Sequence, residues 1–231
     1  MISDKEYITL REKTSRSGWI LSFGDIMTLL LTFFIMMIAM QSGEISRIHK
    51  WTNDRLDDSE SEIRKIIRDN NLKSFSVHRH SKGVQITISG RSLFNLGEAE
   101  PLPGLHEQLT EISKDIRNLK ILNLEESEYR RVISELKENN LSWNVEIRVE
   151  GHTDNVPLGP NIRYRDNWEL SAARAQHVMR ILQVNTGIPE KKFAVAGYGE
   201  YKPVADNSTE YGRNLNRRVE IYIDASIQKI Q

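Results

Sequence analysis

Cysteine is absent from the 231-residue chain, so no disulfide, thiolate nucleophile or cysteine metal site is available. A lipid anchor on an N-terminal cysteine is excluded for the same reason. Net charge is lacking too, because 32 basic side chains balance 32 acidic ones. That balance argues against a nucleic-acid binder, whose domain normally carries a basic excess. There is no nucleophile–base arrangement, and no glycine loop framed by strand and helix as a phosphate site requires, so nothing points to an enzyme. His152 stands near Asp154 without a second convergent ligand and reads as a packing residue at a strand end. His78 and His80 share one strand face and read as a solvated edge.

Long apolar runs are also missing, with one exception. Trp19 to Met40 reads WILSFGDIMTLLLTFFIMMIAM, 22 residues with a single charge, Asp25. A helix of that length spans roughly 30 Å, the thickness of a bilayer's hydrocarbon core. A buried core helix this uniformly apolar does not suit so small a domain. A signal peptide has a shorter apolar stretch and small residues before its cleavage site, which Ala39-Met40-Gln41 matches poorly. The expectation is a retained transmembrane helix over 18–41. Lys5, Arg11, Lys13 and Arg16 precede it, whereas Arg47 and Lys50 are the nearest basic residues after it. Positive charge collects on the cytoplasmic side, so residues 1–17 are expected in the cytoplasm and all that follows the helix outside the inner membrane.

Asp25 is expected about 9 Å into that helix, at about 1.5 Å per residue. A charged Asp at a helix centre costs roughly 2.5–3.5 kcal/mol, somewhat less toward the interface, and such residues face protein or a water-filled path. At about 100° per residue, Ser22, Thr28 and Thr32 fall on the same side as Asp25. The opposite face is Leu, Ile, Phe and Met. A polar stripe gains nothing against lipid, so the helix is expected to pack against partner helices. Asp25 then either pairs structurally or binds and releases an ion. One charge crossing 100 mV releases about 2.3 kcal/mol, enough to drive a conformational step.

Trp19 with Phe23-Gly24-Asp25-Ile26-Met27-Thr28-Leu29-Leu30-Leu31-Thr32-Phe33-Phe34 resembles the transmembrane signature of the MotB/PomB stator family, with Gly24 where Ala is frequent. The resemblance implies that Asp25 is the ion-binding residue, with Ser22, Thr28 and Thr32 as neighbours along the ion path. It implies a homodimer of these helices within a ring of A-type (MotA/PomA-like) subunits, transported H+ or Na+ and no cofactor, and an indirect action on the flagellar rotor. Residues 42–72 are highly charged, with Ile45, Ile48, Trp51, Thr52 and Leu56 near helical spacing. They read as a short amphipathic helix or a solvated linker. By the resemblance, Ile45–Leu56 is a plug that blocks ion flow, and Ser59–Leu72, with Ile63, Ile66 and Ile67, a linker helix.

From about residue 73 the pattern changes. Ser74–His80 and Val84–Ser89 alternate and read as strands around a Lys82-Gly83 turn. Leu93–Gly104, with two prolines and two glycines, reads as a loop. Leu105, Leu109, Ile112 and Ile116 mark an amphipathic helix, and Glu125–Asn139 a second, with Tyr129, Val132, Ile133 and Leu136 inward. Asn144–Gly151, Phe193–Gly197 and Arg218–Asp224 read as strands, and Leu170–Gly187 as a helix ended by glycine before Pro189. The expected fold is a single N-terminal transmembrane α-helix followed by an α+β periplasmic domain over 73–225, one sheet covered on one side, with a tail over 226–231.

Three motifs in order resemble the OmpA-like peptidoglycan-binding domain over roughly Phe94 to Asp224. They are Gly151-His152-Thr153-Asp154, Asn167-Trp168-Glu169-Leu170-Ser171-Ala172-Ala173-Arg174-Ala175, and Gly197-Tyr198-Gly199-Glu200 with Pro203 and then Asn214-Leu215-Asn216-Arg217-Arg218-Val219-Glu220-Ile221. Peptidoglycan's stem peptide carries diaminopimelate, with a carboxylate and an ammonium on one short arm. Arginine offers a planar bidentate fork to carboxylate. The resemblance implies Arg174 for the carboxylate and Asp154 for the ammonium, with Asn167, Leu170 and Arg217 or Arg218 as cleft wall. The alternatives are a capping role for Asp154, a surface ion pair for Arg174, and structural pairing for Arg217 and Arg218. A wall tether without ion flow, or a stator-like unit of a non-flagellar ion-driven complex, remains open beside the flagellar stator.

Overall fold

The computed structural model describes residues 4–90, 93–123 and 130–230, and their side chains except at 4–18, 40–49 and 131. The chain divides into two units, Met1–Trp51 and Thr52–Gln231.

Proline is absent before Pro101, so nothing removes a backbone donor from the N-terminal helix. Helix α1 accordingly runs unbroken over Asp4–Asp69. Within the first unit it contains a 21-residue stretch, Trp19–Ala39, of mean hydropathy 2.0, long and apolar enough to cross a membrane.

The second unit begins with the last turns of α1. Leu56, Ser59 and Ile63 recur at spacings of three and four and are buried, with Ile66 and Ile67 partly so. The residues assigned to plug and linker can be placed against this helix. The proposed plug and linker lie in one continuous helix, and Leu56, placed at the plug's end, is core. The side chains of Ile45 and Ile48 lie outside the described set. Arg79 fastens this helical segment to the sheet through Asp57 at 3.0 Å and Asn53 at 3.1 Å.

Strands β1 (Phe75–His80), β2 (Gly83–Ser89), β3 (Leu141–Gly151), β4 (Phe193–Gly197) and β5 (Arg218–Lys229) form one sheet in the order β1-β2-β5-β3-β4. All pairs are antiparallel except β3 with β4. The register sets Ile86 opposite Ile221, and Ile221 opposite Val149, so branched side chains from adjacent strands share one face. Onto that face pack α2 (Pro103–Arg117) with Leu105, Leu109, Ile112 and Ile116, and α4 (Asn167–Thr186) with Ala175, Val178 and Leu182. The opposite face carries Arg148, Tyr222 and Asp224, with Arg148 3.2 Å from Asp224 and 4.3 Å from the Tyr222 ring centre. This is the α+β arrangement expected.

The differences are at the margins. Helix α3 is Arg130–Glu138, with Leu136 buried as expected, while 125–129, including Tyr129, lie outside the described residues. Strands β3 and β5 pair on to Leu141 and Lys229, so residues 226–229 are strand and not tail. Helix α5 (Glu210–Asn216) has no counterpart in the sequence reading. It begins where Thr209 accepts from the Gly212 N–H at 3.0 Å.

Candidate functional site

In the membrane-length stretch, Asp25 is the sole charged residue, with Ser22, Thr28 and Thr32 three or seven positions away along the same helix. The Thr28 hydroxyl donates to the Asp25 carbonyl at 2.8 Å, and Thr32 to the Leu29 carbonyl at 2.9 Å. Both hydroxyl protons are thus spent within the helix, and the hydroxyl oxygens keep lone pairs to offer a cation or water.

The second site is a cavity of about 530 Å³ at the C-terminal ends of β3 and β4. Gly151 ends β3 against α4, where a Cβ would stand 1.9 Å from the Ser171 carbonyl oxygen. Beyond it Thr153 N–H donates to Gly199 O at 2.9 Å, and the chain turns so that Asp154 faces the cavity. Helix α4 is started by Asp166, which accepts from Glu169 N–H at 2.9 Å, while Glu169 returns a bond to Arg165 N–H at 2.8 Å. Its first two turns present Asn167, Leu170 and Arg174 to the cavity. The facing wall comes from Phe94–Gly97 and from Val156–Gly159 with Ile162.

Arg174 is the least ordinary group here. It is 6% exposed, lies 4.7 Å from the Phe94 ring centre, and donates to carbonyls only, Glu98 at 2.9 Å and Asn95 at 3.3 Å. Among the described residues it forms no salt bridge. Burial pushes its pKa down to about 10, with Asp154 partly opposing the shift. A buried cation without a salt-bridge partner is costly, and Asp154 acts on this one without a direct ion pair.

Asp154 is equally buried but already matched. Arg217 ion-pairs with its Oδ2, and Val156 N–H donates to Oδ1 at 3.2 Å. Arg217 also reaches Glu210 at 3.2 Å, and with its side chain about one-third exposed it has room to move. Asn167 ties the rim together, donating to Val156 O at 3.1 Å and Glu200 Oε2 at 3.2 Å. Asp154, Arg174, Asn167, Leu170 and Arg217 therefore converge as expected.

Arg218 does not. It is buried away from the cavity lining, with Nε 2.6 Å from Glu220 and Nη2 3.1 Å from Lys202 O. The cause is position: Arg217 follows α5, whereas Arg218 begins β5 and takes the strand's polar face. Thr153 was missed. It lines the cavity, and its hydroxyl is buried without a partner among the described residues. Phe94–Gly97, read as plain loop, forms a cavity wall, and the Phe94–Pro101 bridge was not visible in any alternation.

Glu150, His152 and Glu220 are metal-ligand types in close array on that polar face. Their charge is spent elsewhere: Arg148 pairs with Glu150 and Arg218 with Glu220, leaving little attraction for a cation. Burial lowers the His152 pKa against the opposing pull of Glu220, and the imidazole stacks on the Tyr198 ring at 5.4 Å. No second convergent ligand for His152 is legible in the sequence, whereas the fold brings Glu150 and Glu220 onto it from two adjacent strands.

Comparison with known proteins follows the same division. The family model described as the membrane MotB of the proton-channel complex MotA/MotB matches residues 9–52, and that of the OmpA family matches 117–217. YtxE of Bacillus subtilis is 29% identical over 247 residues, covering 94% of this chain and 92% of YtxE. Motility protein B of Bacillus subtilis is 34% identical over 171 residues, covering 74% of this chain but 56% of that protein. The crystal structure of a MotB-like protein from Desulfovibrio vulgaris, 24% identical, superposes with a TM-score of 0.58 over 77% of this chain and 95% of the other, and so shares its fold. With a MotB membrane segment joined to an OmpA-family domain, the chain belongs to the MotB family.

Proposed function

We propose that this protein is the B-type subunit of an ion-driven stator, held in the inner membrane with its N-terminus cytoplasmic and its α+β domain gripping peptidoglycan in the periplasm. One observation carries the motor half: the membrane-length stretch keeps a single carboxylate, Asp25, a group that a bilayer tolerates only against protein, water or an ion. An A-type membrane protein supplies the surrounding helices, two copies of this chain share the unit, and H+ or Na+ is the cargo. The cavity supports the wall half. Arg174, desolvated and without an anion, suits the carboxylate of a diaminopimelate arm. The arm's ammonium exchanges with Arg217 at Asp154. Apolar walls from Leu158, Ile162 and Leu170 suit the alkyl chain between them.

The decisive experiment separates the two halves. Asp25→Asn is expected to abolish ion-driven motility while the full-length protein still sediments with purified peptidoglycan. Arg174→Ala is expected to lose that sedimentation. A motile Asp25→Asn strain sinks the conducting role, and normal wall retention by Arg174→Ala sinks the cleft. The whole-length similarity is to YtxE rather than to Motility protein B, which keeps a second reading in view: a stator-like unit of another ion-driven complex. Restoration of swimming to a strain lacking its own B subunit, in sodium-free and sodium-containing media, decides both the machine and the ion.

A further inference from the structure

Beside the cleft, two large aromatic side chains stand in solvent. Trp168 is 46% exposed and Tyr201 is 65% exposed, and their rings stack at 5.2 Å with an interplanar angle of 29°. Each leaves its outer face free. Neither the indole N–H nor the phenol hydroxyl has a hydrogen-bond partner among the described residues. The pair contributes nothing to the core, whose members all lie elsewhere. Exposed aromatics with an apolar face and an unused polar tip are the usual marks of a contact surface.

The placement of the pair is built in. Trp168 follows Asn167 and Tyr201 follows Glu200, and these two neighbours are hydrogen-bonded to each other at 3.2 Å, Asn167 also lining the cleft. Gly199, at φ +53°, lets the turn press onto the first turn of α4, where a Cβ would sit 3.3 Å from Asn167 C and Trp168 N. Ser171 Oγ accepts from Gly199 N–H at 2.9 Å and locks the approach. The stack is thus rigidly joined to the cleft rim, and a ligand on it loses little freedom of the protein. Lys202 completes the surface, its Nζ 3.5 Å from the Tyr198 ring centre.

We propose that the Trp168–Tyr201 stack is a saccharide subsite that holds the amino-sugar ring from which the cleft-bound stem peptide hangs. This inference deepens the wall-binding reading and rests on it. A pyranose presents a face of C–H groups that matches the negative face of an aromatic ring, and a rim of hydroxyl and acetamido groups that matches the free indole N–H, the phenol and the second oxygen of Glu200. A peptide seated in the cavity must leave its sugar outside, and this rim offers the matching surface.

The test measures binding of two probes to the full-length protein in detergent by calorimetry: a free tripeptide ending in diaminopimelate, and the same tripeptide on its disaccharide. Wild type is expected to bind the disaccharide form roughly two- to tenfold more tightly, the range of one aromatic contact. Trp168→Ala and Tyr201→Ala should erase that preference while leaving free-peptide affinity unchanged, and Trp168→Phe should restore part of it. Equal binding of both probes by wild type, or a preference that survives in both alanine variants, overturns the subsite alone. A wild type that binds neither probe overturns the wall-binding reading as well.

Discussion

Replacing Gly151 by alanine tests how the site is built. The new Cβ would stand 1.9 Å from the Ser171 carbonyl oxygen and 2.7 Å from its carbon, both backbone atoms of α4. The first distance is roughly 1.5 Å short of an ordinary contact, and no rotamer change relieves it. Strand β3 and helix α4 must therefore separate by about that amount. Overpacking of this kind costs about 1–3 kcal/mol, and a clash with backbone belongs at the upper end. For a domain of this size about 3 kcal/mol lowers Tm by roughly 6–12 °C. The displacement also acts on function. Asp154 sits just beyond β3 and Arg174 on α4, so the substitution shifts one against the other and should weaken peptidoglycan retention. The assay is thermal melting by circular dichroism together with peptidoglycan sedimentation. Gly104→Ala is the control: in the first turn of α2 its Cβ meets nothing within 4 Å, so alanine there displaces nothing. A Gly151→Ala protein that melts and binds like the Gly104→Ala protein refutes the claim that strand–helix contact sets the cleft.

Two further outcomes follow from the charges. Burial works against the Glu220 carboxylate, but His152, Arg218 and Tyr222 outweigh it and hold its pKa down at about 2. A depressed carboxylate contributes stability above its unfolded pKa near 4.5 and loses it as pH falls toward 2, so acid melting over that window should flatten in Glu220→Gln. Arg217→Ala leaves the buried Asp154 carboxylate unpaired, at a cost of about 2 kcal/mol once the exposure of Arg217 is allowed for. Added diaminopimelate should then raise Tm more in this variant than in wild type, and an equal rise would show that the ammonium does not take the place of Arg217.

The membrane segment was legible because its signal is contiguous. Twenty-two apolar residues around one carboxylate need no tertiary knowledge to be read, and neither do the alternations Val84-Ile86-Ile88 and Val219-Ile221-Ile223. The motif residues Asp154, Asn167, Leu170, Arg174 and Arg217 met in one cavity because the motifs follow β3, open α4 and close α5 before β5, at one end of the sheet.

Local pattern, then, decided the element types, the buried faces and the residue kinds at the cleft. Only the tertiary structure decided their partners. Arg217 and Arg218 are adjacent in sequence, yet one meets Asp154 at the cleft and the other Glu220 along β5, because a helix ends and a strand begins between them. Leu56, placed at the plug's end by the resemblance, becomes core because residues distant in sequence join it in one hydrophobic cluster. Arg174 and the carbonyl of Glu98 are 76 residues apart, and no periodicity of 2 or 3.6 reaches across that distance. Hydrophobic spacing reports on a segment's own neighbours, whereas ion pairs and cavities depend on how the segments are stacked.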